Sequence, residues 1–157
     1  MTASWSARLA ELGIELPAVV PPVGSYTPAL RVGDLVYTSG QIPVVDGKVS
    51  LSGKVAVGAE GIVTPEQATA AARLCALNAL AAVHAEVGID SIVRVVKVVG
   101  FVASAPGFNG QSGVINGASD LFGEIFGDAG VHARSAVGVA ELPLGVPVEV
   151  EIVVQVK

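Results

Sequence analysis

Residue types on which proteins often build their chemistry are scarce in this sequence. Cysteine occurs once, as Cys75, and histidine twice, as His84 and His132. A lone cysteine closes no intramolecular disulfide, and no HxxxH or CxxC spacing exists to hold a metal. Cys75 falls in an alanine-rich helical stretch and reads as a small buried hydrophobe rather than a reactive thiol. No GxGxxG dinucleotide loop follows a strand, and no GxSxG elbow presents a nucleophilic serine; Ser39 in Thr38-Ser39-Gly40-Gln41 falls at a strand end. The chain is thus expected to work without a cofactor and without a metal. Charged residues make up 15% of it, against about 25% in ordinary globular domains. Their balance is acidic, with a net charge of −5, and no Lys/Arg cluster is present, so nucleic acid is not an expected partner. No apolar run approaches the roughly 18 residues of a membrane span, and Met1 to Arg8 lacks the basic then apolar pattern of a secretory signal. A soluble protein of the cytoplasm, with no membrane partner, is the expectation.

Hydrophobic residues are abundant instead, at 52% of 157 residues. That length suits one domain, residues 1–157, with one core. An apolar surplus on a chain with no membrane span is most economically hidden in a subunit interface, which predicts an oligomer.

The patterning predicts an α+β fold. Trp5, Leu9 and Leu12 recur at helical spacing within Ser4 to Leu12, and Gly13 supplies a left-handed stop. Gly24 to Val32 and Leu35 to Ser39 read as a β-hairpin around Gly33-Asp34. The glycine- and valine-rich stretch from Val44 to Val63 reads as loop with one short strand at most and a turn at Asp46-Gly47. Thr64-Pro65-Glu66-Gln67 is a strong helix start, with Thr64 as cap, Pro65 at the first position and Gln67 completing a capping box. That helix should run to about Val87, its stripe of Ala68, Ala71, Ala72, Cys75, Ala79 and Ala82 permitting close approach to a sheet. Ile92 to Ala103 reads as a central strand buried on both sides. A second helix is expected from about Val114 to Phe126, then strands from Arg134 to Glu141 and from Val148 to Val154. The order ββ-α-β-α-ββ suggests a mixed sheet with two helices on one face and an apolar opposite face left open.

Arg134 is the first candidate for chemistry. It begins a strand among small and apolar neighbours, so its partly desolvated guanidinium needs a partner. The planar fork fits a carboxylate, which a ligand could bring. Spacing alone favours the blander partner, an internal salt bridge to Glu141, Glu149 or Glu151. Glu149 and Glu151 share one strand face, an arrangement usual at a solvated edge, though one of them could hold a water against a ligand.

Several motifs occur together in order: Gly24-Ser25-Tyr26, Val36-Tyr37-Thr38-Ser39-Gly40-Gln41-Ile42-Pro43, Asn116 before a helical run, Ala133-Arg134-Ser135, Glu141-Leu142-Pro143 and Val148-Glu149-Val150-Glu151. In this combination the chain resembles the RidA (YjgF) family over roughly Gly24 to Val156, leaving residues 1–23 as an N-terminal helical extension. The resemblance implies a chorismate-mutase-like fold, a homotrimer around a central β-barrel, and pockets in clefts between subunits. It implies hydrolysis of 2-imino acids to 2-keto acids and ammonia, as by a 2-iminobutanoate/2-iminopropanoate deaminase. In that scheme Arg134 clamps the substrate carboxylate, Glu149 positions the attacking water, and Tyr26, Ser39, Gly40, Asn116 and Ser135 line the pocket. His132 stands where family deaminases usually carry proline, Ala136 where many carry cysteine, and Ser25 replaces the proline of Gly-Pro-Tyr. Two other functions are open on the same residues: a non-catalytic sensor that binds small carboxylates, and the ribonuclease activity attached to part of the family as "endoribonuclease L-PSP". The acidic charge weighs against the last.

Overall fold

A computed structural model describes residues 4–58 and 62–157. Its elements are α1 (Trp5–Glu11), β1 (Ala29–Val32), β2 (Leu35–Thr38), β3 (Val44–Val45), β4 (Lys48–Val49), α2 (Pro65–Val87), β5 (Ile92–Ala103), α3 (Gln111–Phe126), β6 (Ala133–Val139) and β7 (Val148–Val156). Five strands form one mixed sheet in the order β1-β2-β7-β5-β6, while β3 and β4 pair separately. Neighbours in the sheet are antiparallel except β5 and β6, which run parallel because α3 carries the chain back between them.

Local chemistry explains the boundaries. Gln67 N–H donates to Thr64 Oγ1 at 3.1 Å and Thr64 N–H donates to Gln67 Oε1 at 3.0 Å, closing the expected capping box of α2. Asp46 and Gly47, at φ 49° and 76°, supply the two positive φ values of a type I′ turn. That turn makes the segment after Pro43 a two-stranded hairpin, more structure than its composition suggested. Residues 59–61 of the same stretch lie outside the described residues. α3 begins at Gln111, three residues earlier than the apolar pattern suggested. Its N-cap Gly110 has no side chain to announce the start. β6 stops at Val139 rather than Glu141, whose carboxylate is 2.8 Å from Lys54 Nζ.

The core lies between the sheet and the helices. Ala68, Ala72, Cys75, Ala76 and Ala79 of α2 are buried, as are Ile115, Leu121, Phe122 and Ile125 of α3. α2 is long and apolar enough in composition to cross a membrane, but that apolar length is used against the sheet and α3. Gly117 brings α2 and α3 together: a Cβ there would collide with the Thr69 carbonyl. α1 joins the same layer, so three helices flank the sheet. Trp5 meets Phe126 edge to face at 5.1 Å, and its Nε1 donates to the Ile92 carbonyl at 2.8 Å. Ser6 anchors the start of α1 through its N–H and hydroxyl, which donate to Asp90 at 2.9 and 2.7 Å. Those bonds hold the Asp90 carboxyl below its usual range.

The other sheet face is left uncovered by the described residues. Val148, Val150, Ile152 and Val154 of β7 are buried towards the helices, whereas Glu149, Glu151 and Val153 point the other way and are half-buried. Leu30, Val32, Tyr37 and Val137 lie on that open face, with exposures of 45% to 59%. This corrects the expectation for β5. The strand is an interior one in the order, but its burial largely alternates, because only one side meets helices. It also corrects the reading of Glu149 and Glu151 as an edge pair, since β7 is the middle strand of five.

Candidate active site

Arg134 is the second residue of β6 and points towards α3. Its Nη1 donates to Asn116 Oδ1 at 2.8 Å and Ser119 Oγ at 3.1 Å, and its Nη2 to Ser112 Oγ at 2.7 Å and the Ser112 carbonyl at 3.2 Å. The three α3 residues are spaced by four and three, which sets them along one flank of the helix. Ion pairs among the described residues join Arg8 to Glu11, Lys54 to Glu141 and Arg73 to Glu124. Arg134 is in none of them. The internal salt bridge is thus replaced by four neutral contacts, and the positive charge has no carboxylate to balance it among the described residues.

His132 extends this cluster. Its Nδ1 lies 2.6 Å from the Gly130 carbonyl and its Nε2 2.9 Å from Ser119 Oγ. The ring stands edge to face with Phe122 at 5.9 Å.

A second cluster forms around Glu149 on the other face of the sheet. The β7 strand holds Glu149 beside Phe101 of β5, and Gln41 bridges to Val150 through both backbone groups, at 2.8 and 3.0 Å. The bridge lays Gly40 directly against the Glu149 carboxylate, leaving no room for a Cβ. Partial burial, with the Glu151 charge as a lesser cause, pushes the Glu149 carboxyl above its usual range. The group opens on a crevice of about 220 Å³ lined by Tyr26, Gly40, Leu144, Glu149 and the prolines and valines of residues 20–23. Leu144 sits there with a φ of 58°, a left-handed backbone that costs a leucine free energy, and it is 66% exposed.

Seven residues were singled out from the sequence. The fold brings Tyr26, Gly40 and Glu149 to the crevice and Asn116 to Arg134. Ser39 is next to Gly40, but its hydroxyl donates to the Thr27 carbonyl at 2.6 Å. Ser135 faces away from its neighbour Arg134 and accepts from Lys97 Nζ at 3.1 Å. Ser112 and Ser119 were missed, although their place on the Asn116 flank of a helix was a readable signal. Cys75 is fully buried and its thiol is held well above the usual value, first by that burial. Among the described residues, no three or more His, Cys, Asp or Glu side chains converge where they could hold a metal.

A mixed five-stranded sheet with helices on one face, carrying an acid in one crevice and an arginine beside α3, is a YjgF-like α+β fold. The YjgF/chorismate mutase-like family, whose description also carries an endoribonuclease name, matches residues 6–154, and the chain belongs to that YjgF/RidA family. Protein TCP17 of Trypanosoma cruzi is 45% identical over 152 residues, covering 96% of this chain and 92% of that protein. The crystal structure of Atu1372 from Agrobacterium tumefaciens superposes with a TM-score of 0.86 at 42% identity, covering 98% of this chain and 92% of that one. A protein of Dermatophagoides farinae named 2-iminobutanoate/2-iminopropanoate deaminase is 32% identical over 146 residues, covering 92% of this chain and 95% of its own.

Proposed function

We propose that this protein hydrolyses 2-imino acids to 2-keto acids and ammonia, with Arg134 gripping the substrate carboxylate and Glu149 handling the water. The observation that carries this reading is the guanidinium of Arg134, held in place by neutral oxygens and unmatched by any carboxylate among the described residues. Its Nε–H makes no hydrogen bond among the described residues, and the Ser112 hydroxyl is a rotor that an incoming anion can displace from Nη2. A charge-assisted, two-point contact then replaces a neutral one. The named deaminase among the relatives adds support.

Imine hydrolysis asks little of a protein beyond placement. Water adds to the iminium carbon, the resulting carbinolamine loses ammonia, and a keto group remains. A carboxylate beside the water can take its proton during addition and return a proton to the departing nitrogen. A carboxyl raised above its ordinary value, as at Glu149, is better matched to both steps near neutral pH. Holding the substrate and the water in register supplies most of the acceleration. Arg134 and Glu149 lie on opposite faces of one sheet, with β5 between their strands. A site using both therefore needs two copies of the chain, and the uncovered apolar face offers the contact. A homotrimer with sites in the clefts between subunits, as the family resemblance implies, would meet this need and set Tyr26 and Gly40 beside Glu149.

The test generates 2-iminopropanoate or 2-iminobutanoate in place with an amino-acid oxidase and follows keto-acid release. Wild type should accelerate release and Arg134→Ala should not; equal rates for the two would sink the proposal. The full occupation of both Nη atoms also favours a second reading, a sensor that binds carboxylates without turning them over. Calorimetric binding of 2-ketobutanoate alongside background turnover would mark that outcome.

A further inference from the structure

We infer that His132 is a positioning residue that orients the Ser119 hydroxyl and, through it, the Nη1 edge of Arg134. The inference rests on the reading of Arg134 as a carboxylate clamp. It begins with the 2.6 Å contact between His132 Nδ1 and the Gly130 carbonyl. A carbonyl oxygen can only accept, so Nδ1 carries the ring proton. In the neutral ring Nε2 then has only a lone pair to offer, and Ser119, 2.9 Å away, must donate to it.

That donation fixes the rotor. With its hydrogen turned to the imidazole, Ser119 Oγ presents lone pairs to Arg134 Nη1 at 3.1 Å. Without the imidazole, the hydroxyl hydrogen has no fixed acceptor, the rotor turns, and its contact with Nη1 loses its fixed geometry and weakens. Asn116 Oδ1 would then hold Nη1 by itself. The ring has its own support: Phe122, fully buried in the core, meets it edge to face. Core packing is thereby transmitted through imidazole and hydroxyl to the cation, by side chains that sit on α3 and on the turn leading into β6.

The experiment reads Arg134 directly and then the ligand. In ligand-free protein, nitrogen-15 NMR of the guanidinium follows rotation and solvent exchange of the Nη protons. His132→Ala and Ser119→Ala should each speed that exchange to a similar degree, the double variant should add little, and His132→Gln, whose side-chain oxygen can accept from Ser119, should restore the slow exchange. Titration with 2-ketobutanoate should show binding weakened about tenfold in each single variant and no further in the double. Turnover should show the same change in KM, with kcat nearly kept, as expected where a ground-state grip is loosened. Thermal melts identify any variant that has merely lost its fold, and Ser119→Ala tests the same link without disturbing the ring. Unchanged exchange in His132→Ala, or effects of the two single variants that multiply in the double, overturns the inference. Faster exchange in the single variants, together with a wild type that binds no keto acid, leaves the positioning intact and defeats the clamp instead.

Discussion

Arg134 and Glu149 are both ionisable groups drawn partly out of water, yet their surroundings treat them differently. Arg134 is enclosed by hydroxyl, amide and carbonyl oxygens from a single helix, each placed by the packing of α3. Glu149 lies against a glycine and apolar walls supplied by loops, its carboxyl raised by partial burial and, to a lesser degree, by the Glu151 charge. The first arrangement steadies a charge that is always present. The second makes a charge costly and so makes its proton easier to hold. A group that must grip benefits from the one, and a group that must exchange protons benefits from the other.

The contrast can be broken from its structural side first. Phe122→Ala empties a fully buried site behind α3 and should cost about 3–5 kcal/mol in chemical denaturation. It should loosen Arg134 while leaving the Glu149 crevice little changed, because loops rather than α3 build the crevice. Arg134→Ala should lower kcat/KM for imine hydrolysis by about 100-fold, equivalent to about 2.7 kcal/mol, with little change in melting temperature. Gly40→Ala sharpens the other half. The new methyl group would push the Glu149 carboxylate aside, and activity should fall about tenfold through kcat while substrate carboxylate binding persists.

Glu149→Gln tests the cost of the charge itself. The folded-state value of this carboxyl lies above the unfolded one, so the folded protein takes up the proton first as pH falls. The ionised form is therefore the one that burdens the fold. The variant should melt higher than wild type at neutral pH. Its advantage should shrink as pH drops through the raised value and vanish below the ordinary glutamate range, where folded and unfolded chains are both protonated. Leu144→Gly should give the smallest change, a gain of about 1 kcal/mol or less from relief of the left-handed backbone.

Legibility in the sequence followed the range of the interactions. The start of α2 and the turn at Asp46-Gly47 depend on neighbours a few residues away, and the sequence displayed both. The start of α3 was hidden because glycine caps it without a side-chain bond. The open face of β5 was misread for another reason: its nearly continuous run of Val, Ile and Phe suggested burial on both sides, although Lys97, which interrupts it, falls on the open face. The separation of Arg134 from Glu149 depends on strand order, with β7 inserted in the middle and β6 added parallel at the edge, and no local pattern encodes that. Ser112 and Ser119 lay within reach of sequence reasoning, since with Asn116 they form a polar flank on a helix whose other flank is apolar.

Trp5 and Cys75 are each single in the chain, and they sit in different parts of it. Indole emission will follow release of the first helix from the Ile92 carbonyl, whereas alkylation of the thiol must wait until the layer between α2 and the sheet parts. Nature has thus left two optical and chemical clocks in one polypeptide. Run side by side during slow denaturation, they can time detachment of the amino-terminal segment separately from melting of the interior, without any label having to be introduced.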